Sequence, residues 1–186
     1  MPKLTSSIPS TYQALKFLEQ NTSFLRSLFV NCNNDVDRMS TLIEPILNAP
    51  KRCEVAPYYI QAVSTGHSTF VVTNLAQNQA VQIVDSNSSW LIGRRSNCAI
   101  SIADPCISRQ HAVISHEAGN NFYITDMGSK NGTRVNQSSL ASLNCCLLRD
   151  GDLIQLGAIR VEFFIATYSQ PSNQNCEIGL TQIQFP

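Results

Sequence analysis

Apolar positions follow two different rhythms along the chain. Leu15, Leu18, Leu25 and Phe29 recur at three-four spacing, with Thr22 standing where another apolar residue would fall. Ser10 and Gln13 have capping-box spacing just after Pro9. The pattern therefore predicts a helix over residues 11–30, or two shorter ones if Asn21 starts the second. Val36, Met39, Ile43 and Ile46 continue at helical spacing, with Asp35 and Asp37 where a helix N-terminus favours negative charge. Pro45 lacks an N–H and is expected to kink or stop this helix near Glu44. Pro50, Pro57 and Gly66 then mark residues 51–68 as a linker.

From residue 70 the apolar runs become short and are separated by turn residues. They predict strands at 70–74, 80–84, 90–93, 100–102, 112–116, 122–126, 133–135, 145–148, 153–156 and 159–168. Short strands in succession with no helical pattern between them indicate a mainly β protein, a β-sandwich preceded by a short α-helical N-terminal segment. Trp90 and Phe122 alternate with polar neighbours and are expected in the core. Asp150-Gly151 suits a tight hairpin, because glycine accepts positive φ. The organisation read in this way is a helical segment over 1–50, a linker over 51–68, a β domain over 69–168 and a flexible Gln-, Asn- and Ser-rich tail over 169–186.

Composition narrows the function. The 186 residues suffice for one well-buried domain with an accessory segment. Thirteen basic residues balance 13 acidic ones, so the chain lacks the general positive field that nonspecific nucleic-acid binding uses. Residues 94–134 nevertheless carry five basic side chains against three acidic ones, enough for one anionic group. Residues 1–10 hold no apolar signal core, and no apolar run approaches the roughly 20 residues that span a bilayer. Neither a secretory signal nor a membrane partner is expected. Seven cysteines, an odd number without Cys-x-x-Cys spacing, predict reduced, buried thiols in the cytoplasm and neither a disulfide framework nor a metal site. No motif calls for a cofactor.

Three loop elements carry the candidate chemistry. Gly93-Arg94 ends one predicted strand, Ser108-Arg109-Gln110-His111 opens another, and Gly128-Ser129-Lys130-Asn131-Gly132-Thr133 joins two more. A phosphate monoester needs donors converging from several directions, and a planar guanidinium supplies two of them at once. Arg94 is the candidate for that fork. Ser108 can donate its hydroxyl, and Arg109 a backbone N–H and its charge. In order and combination, Gly-Arg, Ser-x-x-His and Asn-Gly, with Asp126 and the Arg149-Asp150-Gly151-Asp152 turn, resemble the forkhead-associated (FHA) domain family over residues 69–168.

That resemblance implies a phosphothreonine-dependent protein-binding module, an adaptor whose partner is a phosphothreonine-containing protein. It places the phosphopeptide on Arg94, Ser108, Arg109, Lys130 and Asn131, with Asn131 holding the peptide backbone through its amide. Gly93, His111 and Gly132 become structural supports, His111 shaping the loop by bonding nearby backbone. Cys106, two residues before Ser108, stands where the family tunes the side chain accepted three residues after the phosphothreonine, and its small thiol favours an apolar one. Asn136-Gln137 departs from the Asn-Gly turn common there. Arg95 is either a solvated neighbour of the site or a secondary contact. Ser108 and His111 could also be paired as nucleophile and base, but no Gly-x-Ser-x-Gly elbow or orienting acid accompanies them, so an enzyme is not expected. His67 and His116 are expected as surface or half-buried side chains, and Arg134 as an exposed strand residue. The alternative function is a phosphate-independent scaffold or self-association protein built on the sandwich and helices, with the N-terminal helices as a candidate self-association surface.

Overall fold

The computed structural model describes residues 36–64, 69–75, 82–85, 88–118 and 120–167, with isolated helical positions at 19, 22, 26, 29 and 30. The remainder of the predicted helix over 11–30, the tail over 169–186 and His67 lie outside the described residues. Helix α1 (Val36–Arg52) is followed by β1 (Tyr58–Ser64), β2 (Thr69–Thr73), β3 (Gln82–Asp85), β4 (Ser89–Gly93), β5 (Ile100–Ser101) and β6 (Ala112–Glu117). After these come β7 (Asn121–Asp126), β8 (Thr133–Val135), β9 (Ser138–Ser139), β10 (Cys145–Leu148), β11 (Leu153–Leu156) and β12 (Ile159–Thr167). Seven strands form one sheet in the order β3-β2-β1-β12-β11-β8-β9, and five form the other in the order β10-β7-β6-β4-β5. Pairing is antiparallel except for β1 with β12 and β4 with β5.

The sheets close on an apolar core in which Trp90 and Phe122 are fully buried, as their alternation predicted. The Phe122 ring lies 6.5 Å from Trp90 and 5.9 Å from Phe163, so it bridges the two layers. A second apolar cluster fills the other face of the seven-stranded sheet. There Met39, Ile43, Ile46 and Ala49 of α1 pack on Tyr59, Val63, Phe70, Val72 and Phe164.

Two expectations along this stretch are corrected by packing. Helix α1 does not stop at Glu44 but continues through Pro45 and Pro50 to Arg52. An interior proline costs about 3 kcal/mol, while each fully buried aliphatic side chain returns roughly 1.5–3 kcal/mol. The turns beyond Pro45 bury Ile46 and Ala49. They also bring the Arg52 guanidinium 4.2 Å above the Phe164 ring and 2.6 Å from Asp150.

The expected linker over 51–68 contains β1, which lies in the interior of its sheet, parallel to β12 and antiparallel to β2. Ile60 and Ala62 face the sandwich, and Tyr59 and Val63 face α1. A strand buried on both sides does not alternate apolar with polar, so its period is invisible. Glu162 fixes the approach to this strand. One of its carboxylate oxygens accepts the N–H groups of Glu54, Val55 and Ala56 at 2.9, 2.6 and 2.8 Å.

The Asp150-Gly151 turn is likewise no hairpin. It crosses from β10 in one sheet to β11 in the other, because it bonds to β12 instead: Gly151 N–H donates to the Phe163 carbonyl and Phe163 N–H to that of Asp152, both at 2.8 Å. Two-residue hairpin turns stand instead at Gly157-Ala158, between β11 and β12, and at Asn136-Gln137, between β8 and β9, the latter with φ of 47° and 72°. Asn136 offsets this conformation by donating to Asp152 at 2.7 Å and accepting Leu153 N–H at 2.8 Å. Among the described cysteines Cys98 is buried as expected, but Cys145 is exposed, because β10 is an edge strand with one side in solvent.

Removing residues 1–68 would delete β1 and leave β2 and β12 without their shared partner. We expect fragment 69–186 to be unfolded or aggregated, and fragment 36–186 to melt cooperatively. Circular dichroism and size-exclusion chromatography of the two fragments check this.

Candidate functional site

Three loops meet at one end of the sandwich: residues 94–99 after β4, 102–111 between β5 and β6, and 127–132 between β7 and β8. Backbone bonds join the first two, from Arg94 N–H to the Ser108 carbonyl at 2.9 Å and from Arg95 N–H to the Arg109 carbonyl at 3.4 Å. Gly93 makes this approach possible, since a Cβ there would collide with the Arg109 carbonyl. Gly132 turns the third loop with φ of 78°, a conformation that favours glycine.

His111 ties the second loop to the third. Its ring is completely buried. Nδ1 accepts the Ser108 N–H at 3.1 Å, and Nε2 lies 3.2 Å from the Gly132 carbonyl. Because Nδ1 is an acceptor and the carbonyl can only accept, the ring is the neutral Nε2–H tautomer. Burial lowers its pKa, and the Gly132 carbonyl and the charge of Asp126 oppose that shift without reversing it. Both ring nitrogens are thus engaged by backbone, and neither bonds the Ser108 hydroxyl.

Asp126 organises the third loop from below. One carboxylate oxygen accepts the N–H groups of Gly128 and Ser129, each at 2.9 Å. The other accepts the hydroxyls of Ser129 and Thr133, each at 2.6 Å. Burial pushes its pKa up, but these four donors outweigh burial and hold it below the ordinary carboxylate value. The supporting roles of Ser129 and Thr133 were missed in the sequence, although Asp126 followed by Ser129 is the spacing of a side-chain-capped turn.

The loops enclose an open cleft of about 550 Å³ whose walls include Arg94, Ser108, Arg109, Lys130 and Asn131. All five residues singled out as ligand-facing therefore meet in one place, while His111 and Gly132 support the loops from outside the walls. Arg94 Nε donates to the Ile107 carbonyl at 3.2 Å, which anchors the exposed guanidinium. Ser108 Oγ accepts the Lys130 N–H at 2.9 Å, leaving its own proton for another acceptor. Asn131 Nδ2 donates to the Cys106 carbonyl at 2.8 Å. Arg95, Cys106 and Met127 also reach the cleft. Met127, 40% exposed, carried no signal in the sequence because it follows a strand in irregular backbone. The other predicted surroundings are half-buried His116, 3.2 Å from the Thr69 hydroxyl, and exposed Arg134, which donates to Ser139.

The family model for the FHA domain matches residues 90–157, the stretch that contains these loops. Human kanadaptin is 28% identical over 107 residues, covering 52% of this chain but only 14% of that protein. The glycogen accumulation regulator GarA of Mycobacterium tuberculosis is 30% identical over 119 residues, 63% of this chain and 70% of that one. The solution structure of the FHA domain of an Arabidopsis thaliana hypothetical protein matches 48% of this chain and 79% of its own, with 32% identity and a TM-score of 0.41. The chain belongs to the FHA domain family.

The two loop supports have measurable signatures. His111→Ala leaves the Ser108 N–H unpaired and removes one of the two donors to the Gly132 carbonyl, which keeps the Gly157 N–H, so stability should fall by roughly 1–3 kcal/mol. The folded protein binds a proton at His111 less readily than the unfolded chain does. Stability should therefore decline as pH falls below the ordinary histidine value of 6.5. Asp126 contributes stability above the ordinary value of 3.8 and loses it as pH falls through its lower folded pKa. Thermal melts from pH 7.5 to 3 should show both declines in the native protein, and His111→Ala should lack the first. An unchanged pH profile in that variant would contradict the buried neutral ring.

Proposed function

We propose that this chain is a phosphothreonine-dependent protein-binding module that recognises phosphorylated partner proteins and catalyses no reaction. One observation carries the reading: five donor side chains from three separate loops reach a single open cleft with no carboxylate among its lining residues. In this reading the Arg94 guanidinium and the Ser108 hydroxyl hold the phosphate, with Lys130 adding charge and Arg109 facing the peptide. Asn131, one of whose amide protons is taken by Cys106, offers the rest of its amide to the peptide backbone. Charge-assisted hydrogen bonds contribute roughly 1.5–3 kcal/mol each, so two or three of them support micromolar recognition.

The site geometry favours binding over hydrolysis. A Ser108–His111 dyad would need a ring nitrogen free to take the hydroxyl proton, and backbone groups engage both. The relative from Mycobacterium tuberculosis is by name a regulator, a role compatible with a module that binds. The chain's neutrality argues against nucleic acid as partner, and five free thiols among the described cysteines suit the cytoplasm. Self-association through the N-terminal helices is disfavoured for α1, which spends its apolar face on the sheet.

Arg94→Ala should weaken phosphopeptide binding at least tenfold, about 1.4 kcal/mol or more, with an unchanged melting temperature, because the side chain is exposed. An Asp in place of the phosphothreonine should fail to bind, since a carboxylate offers less charge and fewer acceptors. Calorimetric titration of both proteins with phosphorylated, Asp-substituted and unmodified peptides measures this.

A further inference from the structure

Four exposed cations line the cleft: Arg94, Arg95, Arg109 and Lys130. No Asp or Glu stands among the lining residues, and among the described residues none of the four forms an ion pair. Asp104 on the second loop and Asp126 at the end of β7 are both already bonded. Asp104 accepts the Cys106 N–H at 2.7 Å, and Asp126 is buried under its four donors. A phosphorylated threonine brings at most about two negative charges, so roughly two positive charges remain uncompensated at the site.

The backbones of Arg94 and Lys130 meet at Ser108, the Arg94 N–H bonding its carbonyl and the Lys130 N–H its hydroxyl. A separate backbone bond, from the Arg95 N–H to the Arg109 carbonyl, brings those two residues together. Along the chain Arg109 follows Ser108, while Cys106, bonded by Asn131, precedes it. Along the second loop, the Arg95–Arg109 backbone contact and the Asn131–Cys106 contact therefore lie on opposite sides of Ser108. Like charges held close in a concave surface repel one another until a ligand neutralises them, and they are worth more there than on open surface.

We infer that the cleft selects phosphothreonine peptides carrying acidic side chains on one flank of the phosphorylated residue, read by Arg95 and Arg109. This inference rests on the phosphothreonine reading proposed above and adds the class of sequence that the site prefers. The exposed pairs it invokes are individually weak, so the preference should be modest and sensitive to salt.

The full chain is titrated by fluorescence anisotropy with four phosphothreonine peptides at low and high salt. One has neutral flanks, one has aspartates only before the phosphothreonine, one has them only after it, and one has lysines on both sides. Acidic residues on one flank should tighten binding roughly three- to tenfold over neutral flanks, and high salt should erase the gain. The lysine peptide should bind most weakly. In Arg95→Glu the ratio of acidic-flank to neutral-flank affinity should invert. Phosphate-dependent binding that ignores the flanks, gains equally from both, or keeps its preference in Arg95→Glu would overturn this inference alone. Failure of every phosphopeptide to bind would overturn the phosphothreonine reading and this inference with it.

Discussion

One imidazole holds the cleft in shape. The His111 ring bridges a backbone N–H on the loop that carries Ser108 and a backbone carbonyl on the loop that carries Lys130 and Asn131. The loops belong to different strand connections, and few short links join them: this bridge, the Met127 N–H to His111 carbonyl bond, the Lys130 N–H to Ser108 hydroxyl bond, and the Asn131 amide on Cys106. A donor on one ring nitrogen and an acceptor on the other, in a fixed plane and without charge, is a combination that neutral histidine supplies and an aliphatic side chain cannot. Burial of the ring makes the bridge strong and its loss costly, since the Ser108 N–H would be left unpaired. Asp126 complements it within one loop, converting four donors that would otherwise compete for solvent into a rigid turn. Recognition groups on loops become precise when their supports are buried and fully bonded, as they are here.

The same logic extends away from the cleft. The domain is thicker than a two-layer sandwich, because α1 covers the outer face of the seven-stranded sheet. Glu162 gathers three consecutive N–H groups where the chain turns from α1 towards β1, and Arg52 closes the junction onto Asp150 and Phe164. These contacts tie the helix to β12 and to the turn that transfers the chain between sheets. The helical segment nearest the sheet is accordingly part of the folded unit.

What was legible in the sequence was the chemistry with local signatures. Glycines that permit close backbone approach, the Ser-x-x-His spacing and the Asn-Gly turn each act over a few residues, and the cleft assembles from them with Arg94, Ser108, Arg109, Lys130 and Asn131 together. Strands buried on one face, such as β7 with Phe122 and Ile124 inward, alternate visibly. What could not be read depends on distant partners. Strand β1 is buried towards both neighbours and shows no period, and two prolines in α1 are overridden by a sheet surface formed from far along the chain. Asp150-Gly151 has hairpin composition, yet its bonding partner is β12 and not the next strand back. Met127 enters the cleft only because the loop containing it is pinned by Asp126.

We propose that phosphate binds among loops whose frame His111 and Asp126 have already set. Heteronuclear NMR of the labelled protein, titrated with one peptide in phosphothreonine and unmodified forms, puts this to the test. Only the phosphorylated peptide should shift the amide signals of Arg94, Ser108, Arg109 and Lys130, while the His111 ring nitrogens keep the neutral Nε2–H pattern before and after binding. Equal shifts with both peptides, shifts centred on α1, or a His111 ring found protonated at neutral pH would contradict it.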